Sequence, residues 1–326
     1  MDRNLDKSAN ERFRSSLIHR YWVYQESNFQ PWEKYLDRPN NEFRRPPVFL
    51  DGRKNIITNP ARTPEGMEEL FGLIPSGELH QWFCSMNSSQ ALALSILGNL
   101  SVENKLSILS ELSDDDGIPL IGKEVTDFQS YKMEHKIDYF HESRRTSLDG
   151  FIPGDYQIAI ECKFTEQEVG TCSRPRLSRS DSNYAQDFCN GSYSVQKPRK
   201  ERCPLTENGV KYWEYIPYLF NWDANEDKDP CPMFQNYQLV RNILAACVKP
   251  DGAISMKNGH AILIYDERNP SCQNEGKILR AYNETKAALK EPRLLRKVSW
   301  QRILQYMRVE NLLPWLTEQV EQKYGL

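Results

Sequence analysis

One stretch, SLDGFIPGDYQIAIECKF from Ser147 to Phe164, constrains this chain more than any other. Tyr156 to Phe164 alternates in character and is rich in β-branched and aromatic residues, which predicts a strand. Side chains two apart on a strand share a face, so Glu161 and Lys163 project together, opposite Ile158, Ile160 and Cys162. Gly150, Pro153 and Gly154 predict a hairpin that folds Asp149 back beside Glu161. Two carboxylates and one ammonium then converge on an otherwise apolar strand, where charges are rare unless paired or liganded. A solvated, salt-bridged face is the plainer reading of Glu-x-Lys alone. The apolar context and the preceding Asp-Gly step favour a site.

That combination suits metal-assisted hydrolysis of a phosphodiester. The substrate is anionic and repels hydroxide, so positive charge and an activated water must be supplied. Hard carboxylate oxygens match Mg²⁺, or Mn²⁺, and Mg²⁺ takes one or two carboxylates while keeping several waters. Such an ion polarises the phosphoryl oxygen and acidifies bound water, and a nearby lysine orients that water or neutralises developing charge.

The pattern resembles the PD-(D/E)xK nuclease superfamily: a carboxylate (Asp149), a variable hairpin, then acid-x-lysine (Glu161, Lys163), with Leu148 where the superfamily name has proline. The SSQALA, SLDGF, IECKF and YQLVRN segments together resemble its bacterial restriction-endonuclease-like branch. The resemblance implies an α/β restriction-endonuclease-like core, α-β-β-β-α-β, with a mixed sheet flanked by helices. It implies Asp149, Glu161 and the Cys162 carbonyl as metal ligands and Lys163 as the signature lysine. It points to Gln90 on the first core helix and Gln238 on the helix after the motif as further site residues. Arg241 shares the helical face of Gln238 and is placed to reach a phosphate. For these last three, capping or surface roles are equally open. Glu134 and Glu166 are further acidic candidates, the first with its facing undetermined and the second expected exposed. His135 and His141 read as structural.

The elements expected around the motif agree with that order. Helices are predicted over Asn10–Tyr24, Ser89–Leu100 (capped by Asn87 or Ser88) and Phe234–Val248. Strands are predicted over Tyr131–Phe140, around Asp149 and Glu161, and over HAILIYDE. The chain divides into an N-terminal helical and irregular region (1–86), a core (87–268) with an insertion at about 170–232, and a basic helical C-terminal region (269–326).

Charge is uneven although the net value is −3. Lys277 to Arg308 holds nine Lys/Arg against two Glu, and Cys172 to Lys211 eight against four acids. LLRKVSWQRILQYM predicts an amphipathic helix whose Arg293, Arg296 and Lys297 would contact DNA phosphates, unless they merely solvate its outer face. Among the cysteines, Cys84, Cys162 and Cys247 fall in apolar elements and read as buried packing. Cys172, Cys189, Cys203 and Cys231 lie in the polar insertion, which would need a staple to order itself. A structural Zn²⁺ or an iron–sulfur cluster would supply one, and four unrelated thiols is the alternative. The polar start and the lack of any run of about 18 apolar residues predict a cytoplasmic protein without a membrane span. The expectation is a Mg²⁺-dependent deoxyribonuclease, with RNA left open as substrate and restriction, defence or repair as its setting. The alternatives are a nucleic-acid-binding module that keeps the fold without cutting, and a scaffold defined by its cysteine-bound metal.

Overall fold

A computed structural model describes residues 8–37, 44–143, 145 and 147–326. The first seven residues of the polar start lie outside the described residues. The architecture is a mixed five-stranded sheet with helices on both faces. Near the N-terminus, β1 (Leu36–Asp37) and β2 (Val48–Phe49) pair as a separate two-stranded ribbon. The main sheet runs in the order β3 (Lys132–Lys136), β4 (Ser147–Ile152), β5 (Gln157–Lys163), β6 (Gly259–Tyr265) and β7 (Leu295–Ser299). The first two pairings are antiparallel and the last two parallel.

The sheet's faces follow from strand alternation. Ile158, Ile160 and Cys162 of β5, with Ile262, Ile264 and Val298, face one apolar layer. That layer is built from the N-terminal helix Ala9–Asn28, the helical run beginning at Ser89, and the C-terminal helices Trp300–Val309 and Pro314–Tyr324. Ala159, Ala261, Leu263 and Leu295 face the other, made by helices Tyr212–Leu219, Pro232–Cys247 and Lys277–Ala288. Because both faces are covered, all seven residues of β5 are buried, Glu161 and Lys163 among them. This is the environment expected of a central strand in a sheet covered on both faces.

Local signals account for the helix starts. Ser8 accepts from the Glu11 amide while Glu11 reaches back to the Ser8 amide, a reciprocal cap for Ala9–Asn28. Ser88 caps the run that begins at Ser89 by accepting from the Ala91 amide. That run is α-helical over Ser89–Ala93, π-wound over Leu94–Gly98 and α-helical again over Asn99–Val102. A Cβ at Gly98 would press on Leu94 and Leu70, so glycine lets helix Pro64–Gly72 approach closely.

Two expected elements differ. The strand expected over Tyr131–Phe140 ends at Lys136, and His141 sits beyond it with φ of +60°. The amphipathic helix expected through Arg293, Arg296 and Lys297 does not form there. Leu295–Ser299 is instead the fifth strand, and a helix begins only at Trp300, capped by Ser299. The reason is spacing. Leu295 and Val298 are three apart, which puts them on one side of a helix but on opposite faces of a strand, and here each face of the sheet buries one of them. The region from 269 onward therefore completes the central sheet as well as adding helices.

Candidate active site

The hairpin expected from Gly150 and Pro153 is present, with Gly150 opposite Ile160 and Ile152 opposite Ile158. Continuing that register places Asp149 across from Glu161. On the other side of β4, Met133 pairs with Gly150 and His135 with Leu148, which sets Glu134 across from Asp149. Glu134, Asp149 and Glu161 thus form one row across three adjacent strands. Glu134 holds its place with φ of +48°, a left-handed conformation that costs a non-glycine residue energy inside a strand. Such strain is found where a side chain must be aimed.

Each carboxylate is held by specific donors. Asp149 Oδ2 accepts from the Cys162 amide at 2.6 Å. Glu161 Oε2 accepts from Asn242 Nδ2 at 2.8 Å, and its Oε1 forms an ion pair with Lys163 Nζ at 2.6 Å. Glu134 accepts from Gln90 Nε2 and from Ser147 Oγ, each at 2.6 Å. Lys163 Nζ also donates to Gln238 Oε1 at 3.2 Å. Gln238 is pressed against Gly170, whose φ of +102° and missing Cβ leave room for the side chain.

Burial and mutual repulsion set the charges. Burial first, then the neighbouring Glu161 and Glu134, push the Asp149 pKa well above the usual carboxylate value. Burial also raises that of Glu134, against the hydrogen bonds from Ser147 and Gln90. Burial disfavours the Lys163 ammonium, but Glu161, Glu166 and Asp149 outweigh it and raise its pKa. Three carboxyls stand beside a single lysine, so without a cation burial and repulsion favour the neutral forms of Asp149 and Glu134.

Most of these groups line a cleft of about 2180 Å³, larger than the pockets of roughly 300–1,000 Å³ that enclose small molecules, while Glu161 is buried behind them and does not line it. Gln90, Glu134, Asp149, Lys163, Gln238 and Arg241 all line it. Arg14, Arg45 and Arg145 give its walls positive charge, Lys136 and Arg174 also line it but pair with Glu78 and Asp187, and Trp82 stands 61% exposed on its rim. Arg14, Arg45 and Trp82 come from the N-terminal region, where the sequence alone showed no chemistry.

The other expected site residues fall in several places. Arg241 is buried, and its Nη2 donates to the Ser147 carbonyl at 2.7 Å, so it braces β4. Glu166 accepts from the Phe164 amide at 2.7 Å and lines the cleft. His135 stacks on Phe151. Arg293, Arg296 and Lys297 do not line the cleft. Arg293 pairs with Glu291, Arg296 donates to the carbonyls of Pro119 and Leu120, and Lys297 pairs with Asp115. Two residues gain weight from the structure. The facing of Glu134 follows only from the pairing register. Asn242 carries no motif signal of its own, although it follows Arg241 directly in the same helix.

Among the described residues, no group of three or more His, Cys, Asp or Glu side chains is gathered as a ready cage for a metal ion. The carboxyl pair of Asp149 and Glu161 suits an ion that keeps most of its water, as Mg²⁺ does. It does not suit one that needs an all-protein shell.

No helix among the described residues is long and apolar enough to cross a membrane. No curated protein matches the chain, and no solved structure does. The model of one family, described as restriction endonuclease associating with ARP, matches residues 19–325. The chain belongs to that restriction-endonuclease family.

Proposed function

We propose that the chain is a PD-(D/E)xK nuclease that hydrolyses DNA phosphodiesters with the help of a divalent cation. The observation that carries this reading is the convergence of Asp149, Glu161 and Lys163 on one sheet face, with Asp149 and Lys163 opening onto a polymer-sized cleft that carries arginines on its walls. Membership of a restriction-endonuclease family supports nuclease action and DNA as the substrate.

Asp149 and Glu161 would hold a Mg²⁺ or Mn²⁺ ion, with the Cys162 carbonyl beside them. When bound, the ion supplies Lewis acidity toward the phosphate and an acidified water. The chain's own residues do the rest. Asn242 fixes the Glu161 carboxylate in one rotamer, and the Cys162 amide does the same for Asp149. Lys163, held by Gln238, keeps its proton and presents positive charge where the phosphate gains negative charge. Glu134, tethered by Gln90 and Ser147, adds a third carboxylate at the edge of the row. Arginines along the walls would bind the backbone without reading sequence.

The test is incubation of the purified protein with plasmid and with linear DNA, in Mg²⁺ and in EDTA. Cleavage in Mg²⁺ alone is expected. Asp149→Asn and Glu161→Gln should abolish it while thermal unfolding stays cooperative. Lys163→Ala should cut the rate by about 10²-fold or more. Wild-type cleavage by a folded double Asp149→Asn, Glu161→Gln variant would refute the assignment.

A further inference from the structure

The insertion that follows the motif strand closes around a second, separate space. Cys172, Cys189, Cys203 and Cys231 come from four separate turns, yet all four line one enclosed cavity of about 20 Å³. Backbone pairing stitches these turns together. The Cys172 amide donates to the Phe234 carbonyl at 2.9 Å, and the Cys231 amide donates to the Gly191 carbonyl at 2.7 Å. All four cysteines are free thiols.

Gly191 N–H donates to Cys189 Sγ at 3.4 Å, the kind of outer hydrogen bond that supports a metal-bound thiolate. Trp213, another wall of the cavity, has a buried indole N–H with no acceptor.

We propose that Cys172, Cys189, Cys203 and Cys231 are the four ligands of one thiolate-bound metal centre. The ligand class is a thiophilic metal, Zn²⁺ or an iron–sulfur cluster. The cavity holds little more than one water-sized sphere. The four sulfurs are not gathered as a ready cage, so binding must draw them inward onto a single Zn²⁺; a cluster would also require the walls to part, so zinc is expected. Each ligand loses its proton on binding. Cys172 and Arg174 border both this cavity and the large cleft, so the centre would brace one wall of the cleft. The proposal is independent of the nuclease reading and stands whether or not the chain cuts DNA.

The test is elemental analysis of the full-length chain purified without oxygen, with acid-labile sulfide measured alongside. About one zinc per chain supports the centre, as does iron with matching sulfide, which would replace zinc as its occupant. Cys189→Ser and Cys231→Ser should lower the metal content by about tenfold, while Cys84→Ser should leave it unchanged. Should the serine variants not fold, thiol titration of the wild type decides. Four additional thiols should become reactive when a strong chelator is added. Folded wild-type protein carrying neither zinc nor iron, whose thiol reactivity does not change on adding Zn²⁺ or chelator, would overturn the proposal.

Discussion

Asn242 shows how a single buried amide sets the chemistry of its neighbour. It is fully buried on helix Pro232–Cys247 and gives Glu161 a neutral donor for the oxygen that Lys163 does not reach. Asn242→Ala would leave a buried carboxylate oxygen without a partner, at a cost of about 1–3 kcal/mol. Urea unfolding should show that loss, and cleavage should fall with it. An unchanged midpoint would mean that Glu161 is held in another way. His260 makes a comparable argument about pH. Its Nε2 faces the Leu120 carbonyl at 2.9 Å and must donate, which leaves Nδ1 to accept from Tyr156 at 3.0 Å. Burial, then the charge of Arg296, lower its pKa to about 3. The unfolded chain therefore takes up this proton first as pH falls. The stability that His260 allows is complete above its unfolded value near 6.5 and is lost between there and about 3. The loss runs at about 1.4 kcal/mol per pH unit. His260→Gln should flatten that slope in denaturant titrations from pH 7 to pH 4.

At the scale of elements, β7 replaces an expected DNA-binding helix with a structural strand. Arg296 and Lys297 use their donors on backbone carbonyls and on Asp115, so their charges are committed within the fold. A triple Arg293→Ala, Arg296→Ala, Lys297→Ala variant should lower the melting temperature yet leave the salt dependence of DNA binding unchanged. Arg45→Ala with Arg145→Ala, both on the cleft, should reduce that slope by about one unit for each phosphate left without its arginine. Fluorescence titration across a salt series separates the two. A slope altered by the triple variant alone would move the binding surface to the β7 edge. Helix Pro232–Cys247 serves the site in two ways, since Gln238 and Asn242, four residues apart, both reach β5. That spacing is one helical turn, so one helix face supports both acid and lysine.

Across the whole molecule, helices Ala9–Asn28 and Pro314–Tyr324 meet behind the motif strand. Tyr324 packs edge-on against Tyr21 at 6.1 Å and against Phe164 at 5.6 Å, next to Lys163. Trp300 Nε1 donates to the Lys163 carbonyl at 3.2 Å. Lys323, also buried, donates to Asn55 and lies near the rings of Tyr24 and Phe49. Tyr324→Ala should therefore cost about 3 kcal/mol or more and lower cleavage, although it lies on the far side of the sheet from Glu161. Loss of stability without loss of activity in that variant would show that the motif strand does not depend on this support.

The hairpin and the alternation of β5 were legible from the residues between Ser147 and Phe164. Period-two patterning decides which side chains share a face, and turn glycines and prolines decide where the chain reverses. The helices starting at Ser89 and near Phe234 were legible for the corresponding reason, a long apolar pattern with a cap or proline at its start. Three things waited for the tertiary structure. The facing of Glu134 depended on pairing register, which a lone strand does not carry. The identity of Leu295–Ser299 depended on β6 lying beside it, because its apolar spacing satisfies a helix and a two-faced strand equally. The shared cavity of four cysteines depended on long loops returning to one place. Local pattern reports what a segment prefers, while only packing decides which distant segment it meets.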